Sequence, residues 1–341
     1  MKRIFLLFVI ALLAACSSND EEQQTGEENP SSDQEDPSAK QQEASVYPLT
    51  GEETDAEVMD RIVAVMVNNH PKARPQTGLA QADITFEILA EGNITRFLAL
   101  YQSDMPDRVG PVRSARPYYF DLAEGYDAIY VYHGAANFIE EMIQNGSVQG
   151  LNGMYYDNDK ALFERSAERV APHNSYTIFD GIYQEAEEQG YSLESSYQPL
   201  SFLAEDEEVT GEEATEIAFA YASTNRIRYQ YNSDSEKYQR YSDDELTVEY
   251  ADDQPIELDN ILFIEAAHQV VDDAGRREID LESGGDALLL QQGKVQYVQW
   301  ERNNGRIIPM KDGEPVSFVP GQTWINVIPK QIGIDEIELT P

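Results

Sequence analysis

Cysteine and basic residues are scarce in this chain, and each shortage excludes certain kinds of site or partner. Cys16 is the one cysteine in 341 residues, which excludes an intrachain disulfide. A thiol nucleophile and cysteine-ligated zinc are excluded from the folded part for the same reason. Only 24 Lys and Arg oppose 63 Asp and Glu, so the formal net charge is -39. Nucleic acid and anionic lipid surfaces require a basic footprint, and neither is expected as a partner.

Short metal and nucleotide motifs are also lacking. The four histidines show no HxH or HExxH spacing, and no GxGxxG or Walker A stretch occurs. The sequence therefore predicts neither a metal centre nor a nucleotide cofactor. A metal site built from three distant histidines stays open as an alternative.

The start of the chain has the layout of an export signal. Two basic residues precede an apolar run at 4–13, which is too short to span a bilayer as a helix. LAAC at 13–16 resembles the lipobox of bacterial lipoproteins. We therefore predict a signal peptide at 1–15, lipidation of Cys16 and an anchor at the outer face of the cytoplasmic membrane. An ordinary cleaved signal with an incidental cysteine is the alternative.

Composition divides the rest of the chain into four segments. Residues 16–57 hold thirteen Asp or Glu against a single Lys40, which predicts an acidic, disordered tether. A second acidic stretch, 205–214, predicts a linker. It separates an expected N-terminal domain at 58–204 from an expected C-terminal domain at 215–341.

Strand and helix patterns mix in the first domain, whereas strands dominate the second. The apolar run 62–67 and the alternating run 128–133 predict strands, and Pro117 begins a predicted helix that ends at Gly125. We therefore expect an α/β or α+β N-terminal domain, a mixed sheet with flanking helices. A smaller, mainly antiparallel β domain is expected to follow it.

A hairpin is predicted around Glu91 and Gly92. Apolar and polar residues alternate on both sides of this pair. With these two residues as the loop, Glu87 lies opposite Arg96 and is its expected charge partner.

Arginines gather in RVGPVRSARPYY at 108–119. Arginine recognises carboxylate and phosphate through paired hydrogen bonds and stays charged at any relevant pH. A helix beginning at Pro117 would add N–H donors at its first turn. The pattern predicts an oxyanion site, and the alternative is that each arginine pairs with one of the many acids. The candidate ligand contacts are Arg108, Arg113, Arg116, Arg74, Arg165, His173 and Asn174.

Two histidines are the candidates for proton transfer. His133 follows a predicted strand and His173 lies in APHNSY, and either is a candidate general acid or base. His133 shares a strand face with Ile129 and Val131, so a core histidine is the alternative interpretation there.

Four stretches, in this order, resemble one family. NNHPKARPQTGLAQAD, RVGPVRSARPYYFDLA, APHNSYT and PGQTWINVIP are similar to sequences of the YerB-like lipoproteins of Gram-positive bacteria. The resemblance implies an extracytoplasmic lipoprotein with an α/β-type N-terminal domain and a smaller C-terminal domain. The family has no assigned function, so the resemblance implies no catalytic residues.

Three functions from different classes remain. The first is a surface-anchored protein that binds an anionic envelope ligand: cell-wall glycan, teichoic polymer or peptide carboxylate. The second is an envelope hydrolase or transferase acting on glycan or phosphodiester bonds, in which arginines stabilise developing charge and a histidine moves the proton. The third is a scaffold for another envelope protein, which an exposed patch around Tyr229, Tyr231, Tyr238 and Tyr241 would favour.

Overall fold

The computed structural model describes residues 45–341. The predicted signal peptide, Cys16 and the predicted tether up to residue 44 lie outside the described residues. Among the helices described, none has the length and apolar character needed to cross a membrane.

The first part of the described chain mixes strands and helices. Its strands are β1 (Ser45–Val46), β2 (Glu53–Thr54), β3 (Val63–Asn68), β4 (Ile84–Leu89), β5 (Thr95–Tyr101), β6 (Arg108–Val109), β7 (Ile129–Tyr132), β8 (Gly150–Asn152), β9 (Phe163–Arg165) and β10 (Ser175–Ile178). Its α-helices are α1 (Pro117–Gly125), α2 (Asn137–Met142) and α3 (Phe179–Glu188). Shorter helical turns are the 3₁₀ turns Pro71–Ala73 and Leu79–Gln81 and the π turn Ile143–Ser147.

The second part of the described chain is built from strands and a single 3₁₀ turn, Ile334–Glu336. Its strands are β11 (Glu212–Glu213), β12 (Glu216–Ala222), β13 (Asn225–Asn232), β14 (Lys237–Ser242), β15 (Glu245–Leu246), β16 (Glu257–Leu258), β17 (Asn260–Ala266), β18 (His268–Val270), β19 (Arg277–Ile279), β20 (Gly285–Gln291), β21 (Lys294–Asn303), β22 (Arg306–Lys311), β23 (Glu314–Pro315), β24 (Thr323–Pro329) and β25 (Glu338–Thr340).

A mixed 12-stranded sheet joins the two parts of the chain. Its spatial order is β23-β22-β21-β20-β17-β24-β4-β5-β3-β7-β8, with β11 paired to β21. The pairs β17–β24, β24–β4, β3–β7 and β7–β8 are parallel, and the others are antiparallel. Every residue of β3, β4, β5, β17 and β24 is buried, as expected for strands that are covered on both faces.

Two apolar cores cover the two faces of this sheet. On one face, side chains of α3 and of the six-stranded antiparallel sheet β15-β14-β13-β12-β25, with β16 on β14, form one core. Phe263 from β17 meets Phe219 and Tyr229 of the smaller sheet edge to face. On the other face, α1 buries Tyr119 and Leu122 in the second core. The large sheet is therefore the middle layer of the fold.

The predicted fold class is confirmed. A mixed sheet with flanking helices is followed by a mainly antiparallel β region, and α1 begins at Pro117 as expected. The pattern did not indicate that β17, β20 and β24 extend the N-terminal sheet. Because strand pairing of distant segments leaves no local signature, this continuity was not predictable from periodicity.

Two segments predicted as irregular contain folded residues. Of the predicted tether, residues 45–57 include β1 and β2, and Leu49 and Thr50 are buried. Of the predicted linker 205–214, β11 pairs with β21, and Ala214 is buried. In both places a few apolar residues among many acids dock into the core, and the acidic average of each window concealed them.

The hairpin register differs from the prediction by one residue. Ala90 donates its backbone N–H to the carbonyl of Ile94, so the loop is formed by the three residues 91–93 and Ile88 lies opposite Arg96. A one-residue shift moves every side chain to the other face. Glu87 therefore does not pair with Arg96, and its partner is Arg240, at 2.8 Å.

Candidate cationic site

The arginine stretch lies at the carboxyl ends of two parallel strands. Met66 near the end of β3 accepts a hydrogen bond from the backbone N–H of Arg113 at 2.9 Å. The carbonyl of Arg113 accepts from the backbone N–H of His133, just after β7, at 2.9 Å. Residues 110–116 thus run between the two strand ends. In sheets with parallel strands, this edge is where ligand-binding groups collect.

Arg113 has no partner for its charge. Its guanidinium makes no hydrogen bond or ion pair with any residue in 45–341, and the side chain is half-buried. Burial lowers the pKa of Arg113, and the nearby charge of Arg116 lowers it further. The carboxylate of Glu91 acts in the opposite direction, although it forms no ion pair with Arg113. A guanidinium stays protonated at neutral pH, so Arg113 carries a charge that no ion pair neutralises.

Glu91 lies between two further arginines. Its carboxylate accepts a hydrogen bond from Arg96 at 2.8 Å and forms an ion pair with Arg116. Burial alone would raise the pKa of Glu91, but Arg96 and Arg116 together hold it below its ordinary value. With Arg113 included, three guanidinium groups face one carboxylate. The local charge is positive in a chain that is strongly acidic.

Two stacked histidines border these arginines. The rings of His70 and His173 lie 4.6 Å apart between centroids, at an interplanar angle of 29°. Asn68 orients the pair, because its Oδ1 accepts from the backbone N–H of His70 at 3.0 Å and its amide faces Nδ1 of His173 at 2.9 Å. His70 Nδ1 accepts from the backbone N–H of Lys72 at 3.1 Å. Each neutral ring therefore carries its proton on Nε2.

Burial and neighbouring positive charge lower the pKa of both rings. Burial lowers the pKa of His70, and Lys72 and Arg113 lower it further. Burial also lowers the pKa of His173, with His70 and Arg113 as the next causes. We call Arg113, Arg116, His70 and His173 the cationic site. At neutral pH it offers the guanidinium of Arg113 and two imidazole N–H donors, while Arg116 is already held by Glu91.

His133 lies beside this site with both ring nitrogens engaged. Nδ1 is 2.7 Å from the hydroxyl of Ser175, and Nε2 is 3.3 Å from a guanidinium nitrogen of Arg165. Arg165 is itself held by Asp157 at 2.7 Å and by Asn174 Oδ1 at 2.9 Å. Because Arg165 can only donate, Nε2 accepts and Nδ1 donates to Ser175. His133 therefore cannot accept a proton from Ser175 in this arrangement.

The other predicted contacts are distributed unevenly. Arg108 pairs with Glu164 at 2.8 Å, and Arg74 pairs with Asp243 at 2.8 Å. Arg165 donates to His133, and Asn174 accepts from Arg165. Of the predicted set, Arg113 lies close enough to Arg116 and to His173 for its charge to act on both.

Sequence reasoning missed several residues that shape the site. Asn68, His70, Glu91 and Arg96 were not among the predicted contacts. The position of Asn68 and His70 after the apolar run 62–67 was the available signal. Glu91 and Arg96 carried none, because they reach the site only through the actual hairpin register.

The donor chemistry suits an anion. No group of three or more His, Cys, Asp or Glu within 45–341 is positioned to hold a metal ion. Guanidinium and imidazole N–H groups instead match the oxygens of phosphate, sulfate or carboxylate.

Two family models match the chain. One is the N-terminal domain of the family described as protein of unknown function (DUF3048), over residues 49–192, and the other is its C-terminal domain, over 217–325. The chain belongs to this family. All four residues of the cationic site fall within the N-terminal DUF3048 region. The family resemblance expected from the sequence is confirmed.

One relative and one solved structure give the same assignment within DUF3048. The chain is 44% identical over 328 residues to "Putative lipoprotein YerB" of Bacillus subtilis (strain 168), covering 95% of this chain and 93% of that protein. It is also similar to the crystal structure of the YerB protein from Bacillus subtilis, with a TM-score of 0.80. That match has 44% identity and covers 87% of this chain and 99% of the other.

Proposed function

We propose that this protein is a lipid-anchored extracytoplasmic protein whose cationic site binds an anionic group of an envelope molecule. The observation that carries the proposal is the guanidinium of Arg113, which has no acidic partner among residues 45–341. Arg169, Arg277 and Arg306 also form no ion pair, but each donates to a backbone carbonyl. Among the arginines of 45–341, Arg113 is the one whose side chain has neither a hydrogen bond nor an ion pair. An anion from outside would supply the missing counter-charge.

The geometry favours a planar or tetrahedral oxyanion. Arginine offers paired donors that match carboxylate and phosphate, and the Nε2–H groups of His70 and His173 add two more. The wider field of an acidic protein repels anions, so affinity should be modest and sensitive to salt. Cell-wall glycan, teichoic polymer and peptide carboxylate are the envelope sources of such a group.

The anchor rests on separate support. LAAC ending at Cys16 resembles a lipobox, and the relative from Bacillus subtilis is named as a lipoprotein. Diacylglycerol on Cys16 would hold the protein at the outer face of the cytoplasmic membrane. Membrane fractions of cells that express the parent and Cys16→Ala test this point. The parent should be found with the membrane, and Cys16→Ala should not.

Binding is a better-supported role than catalysis. A general base needs a free lone pair within reach of the proton it removes. His133 uses both ring nitrogens, and the Nδ1 of His173 already accepts from Asn68. The scaffold hypothesis loses its expected patch, because Tyr229 and Tyr238 are buried in the core.

Calorimetric titration with inorganic phosphate and with peptidoglycan-derived muropeptides tests the proposal. Arg113→Met keeps the length of the side chain and removes its charge, so it should weaken binding about tenfold or more. Arg226→Met is the matched control, since Arg226 is 50% exposed on β13 and pairs with Glu338 at 3.5 Å. That control should bind as the parent does.

Arg108→Met separates the present site from the broader sequence hypothesis. Because Glu164 already neutralises Arg108, this variant should leave binding within about twofold of the parent. If Arg113→Met binds phosphate and muropeptides as tightly as the parent, the proposed site is wrong.

A further inference from the structure

A groove of about 340 Å³ opens along the edge strand β8, beside the cationic site. We call it the tyrosine groove. Its lining includes Tyr132, Tyr155, Tyr156, Tyr191, Gln144 and Gln189. Its volume falls within the range of roughly 300–1,000 Å³ that small-ligand sites occupy.

Polar side chains line much of the groove, and its one charged side chain among the described residues is already hydrogen-bonded within the protein. Glu140 is the single carboxylate among its described lining residues, and Lys and Arg are absent from them. One oxygen of Glu140 accepts from the Tyr132 hydroxyl at 2.9 Å and from the Asn152 amide at 3.0 Å. The other accepts from the Tyr155 hydroxyl at 3.0 Å and from Gln144 at 3.3 Å. Four donors satisfy this carboxylate, so the groove favours a neutral, polar ligand.

Tyr155 presents its ring to solvent. The side chain is 65% exposed, although its hydroxyl is fixed by Glu140 and Gln144. A held aromatic ring with an open face is the surface on which the C–H face of a sugar ring stacks. Gln189 and Gln144 add amide groups, which can both donate to and accept from sugar hydroxyls.

Gly150 lines the groove, and no side chain fits at this position. A Cβ at this position would lie 2.9 Å from Cγ2 of Ile143 and 3.1 Å from Cε1 of Tyr132. A larger residue would therefore displace the walls.

The groove and the cationic site adjoin through Asn152 and Gly134. Asn152 Oδ1 accepts from the backbone N–H of Gly134 at 2.9 Å and from that of Met154 at 3.0 Å. The carbonyl of Gly134 accepts from the N–H of Ala115, two residues after Arg113, at 3.0 Å. A ligand that enters the groove therefore lies one loop away from the arginines.

We propose that the tyrosine groove is a saccharide subsite and that the ligand shared with the cationic site is an anionic glycan. The first part stands on the groove alone. The second part rests on the proposed function, because it requires Arg113 to bind the anionic group.

The test uses a neutral probe and a charged one. Triacetylchitotriose, an uncharged trimer of N-acetylglucosamine, probes the groove, and inorganic phosphate probes the cationic site by calorimetry. Tyr155→Ala should weaken the trisaccharide about tenfold and leave phosphate unchanged. Tyr155→Phe retains the ring and should keep most of the affinity. Tyr297→Ala is the matched control, since Tyr297 is 57% exposed on β21 and does not line the groove.

The outcomes separate the two proposals. A trisaccharide that fails to bind the parent, or that binds Tyr155→Ala equally well, overturns the saccharide subsite even when phosphate binding depends on Arg113. Trisaccharide binding without phosphate binding supports the subsite and overturns both the proposed function and the shared ligand. Muropeptides, which combine sugars and carboxylates, should be weakened by Tyr155→Ala and by Arg113→Met. An effect of only one variant on muropeptides overturns the shared ligand.

Discussion

The guanidinium groups of Arg240 and Arg113 differ in burial and in counter-charge. Arg240 is fully buried, donates to Glu87 at 2.8 Å and lies over the ring of Trp324, 4.8 Å from its centroid. Arg113 is half-buried beside Arg116 and has no acidic partner in the described chain. One charge is compensated and sealed in the core. The other is uncompensated and reachable from solvent.

The contrast separates a structural arginine from a functional candidate. Burial would lower the pKa of Arg240, but Glu87 outweighs it and raises the pKa. The Glu87 carboxylate also accepts from Thr95 at 2.8 Å and from Trp324 at 3.2 Å. The charge of this buried pair is compensated, although Arg240 Nε has no hydrogen-bond partner, whereas Arg113 lacks a counter-charge. Each variant below changes one side of this comparison.

Removing Arg240 should have the largest effect on stability. Arg240→Leu leaves the carboxylate of Glu87 buried and unpaired, so the free energy of unfolding should fall by about 3–5 kcal/mol. Urea unfolding of the parent and the variant measures this change. Arg226→Leu is the control, and a shift within about 0.5 kcal/mol is expected there because the residue is exposed.

A second substitution shows whether charge is the cause. Adding Glu87→Gln to Arg240→Leu removes the unpaired charge and keeps the shape of the side chain. Stability should then recover in part. A double variant no more stable than Arg240→Leu would assign the loss to packing against Trp324.

Neutralising Glu91 should have an intermediate effect. Glu91→Gln leaves Arg96 and Arg116 without a counter-ion, and a loss of about 1–2 kcal/mol is expected at neutral pH. Thermal unfolding measures it. Asp272→Asn is the matched control, because Asp272 pairs with Arg276 at the surface and its replacement should change stability less than Glu91→Gln does.

The stability difference between the parent and Glu91→Gln should depend on pH. The pKa of Glu91 is lowered in the folded state, so its stabilisation is present above the ordinary value of 4.5 and is lost as the pH falls through the folded value. The stability difference between the parent and Glu91→Gln should therefore shrink below about pH 4.5. A difference that persists unchanged to low pH would exclude the charge of Glu91 as its source.

The local sequence pattern predicted individual strands and helices but not which distant strands pair. The apolar run at 62–67 and Pro117 at a helix start were sufficient to predict β3 and α1. The extension of the sheet through β24 depends on pairing between β24 and β4, more than 200 residues apart in the chain. Periodicity within a window contains no information on such partners.

For the site as well, the sequence indicated the position of a residue but not its partners in space. The position of Arg113 between two strand ends follows from VGPVRSAR and its neighbouring strands, so its candidacy could be inferred. The shortage of counter-charge could not be inferred, because it depends on Glu91 pairing with Arg96 and Arg116 through the three-residue hairpin loop. The sequence left open which arginines find an acid. For Arg96 and Arg116, the pairing with Glu91 depends on the register of the β4–β5 hairpin.

Removing the charge of Arg113 should have the smallest effect on stability. Because no carboxylate loses a partner and repulsion from Arg116 is relieved, Arg113→Met should change the free energy of unfolding by less than about 1 kcal/mol. Added salt screens that repulsion, so the parent should gain more stability than the variant when salt is raised. Urea unfolding at low and high salt measures both effects. A loss as large as that of Arg240→Leu would mean that Arg113 has a structural partner and would remove the basis for treating it as a site for an external anion.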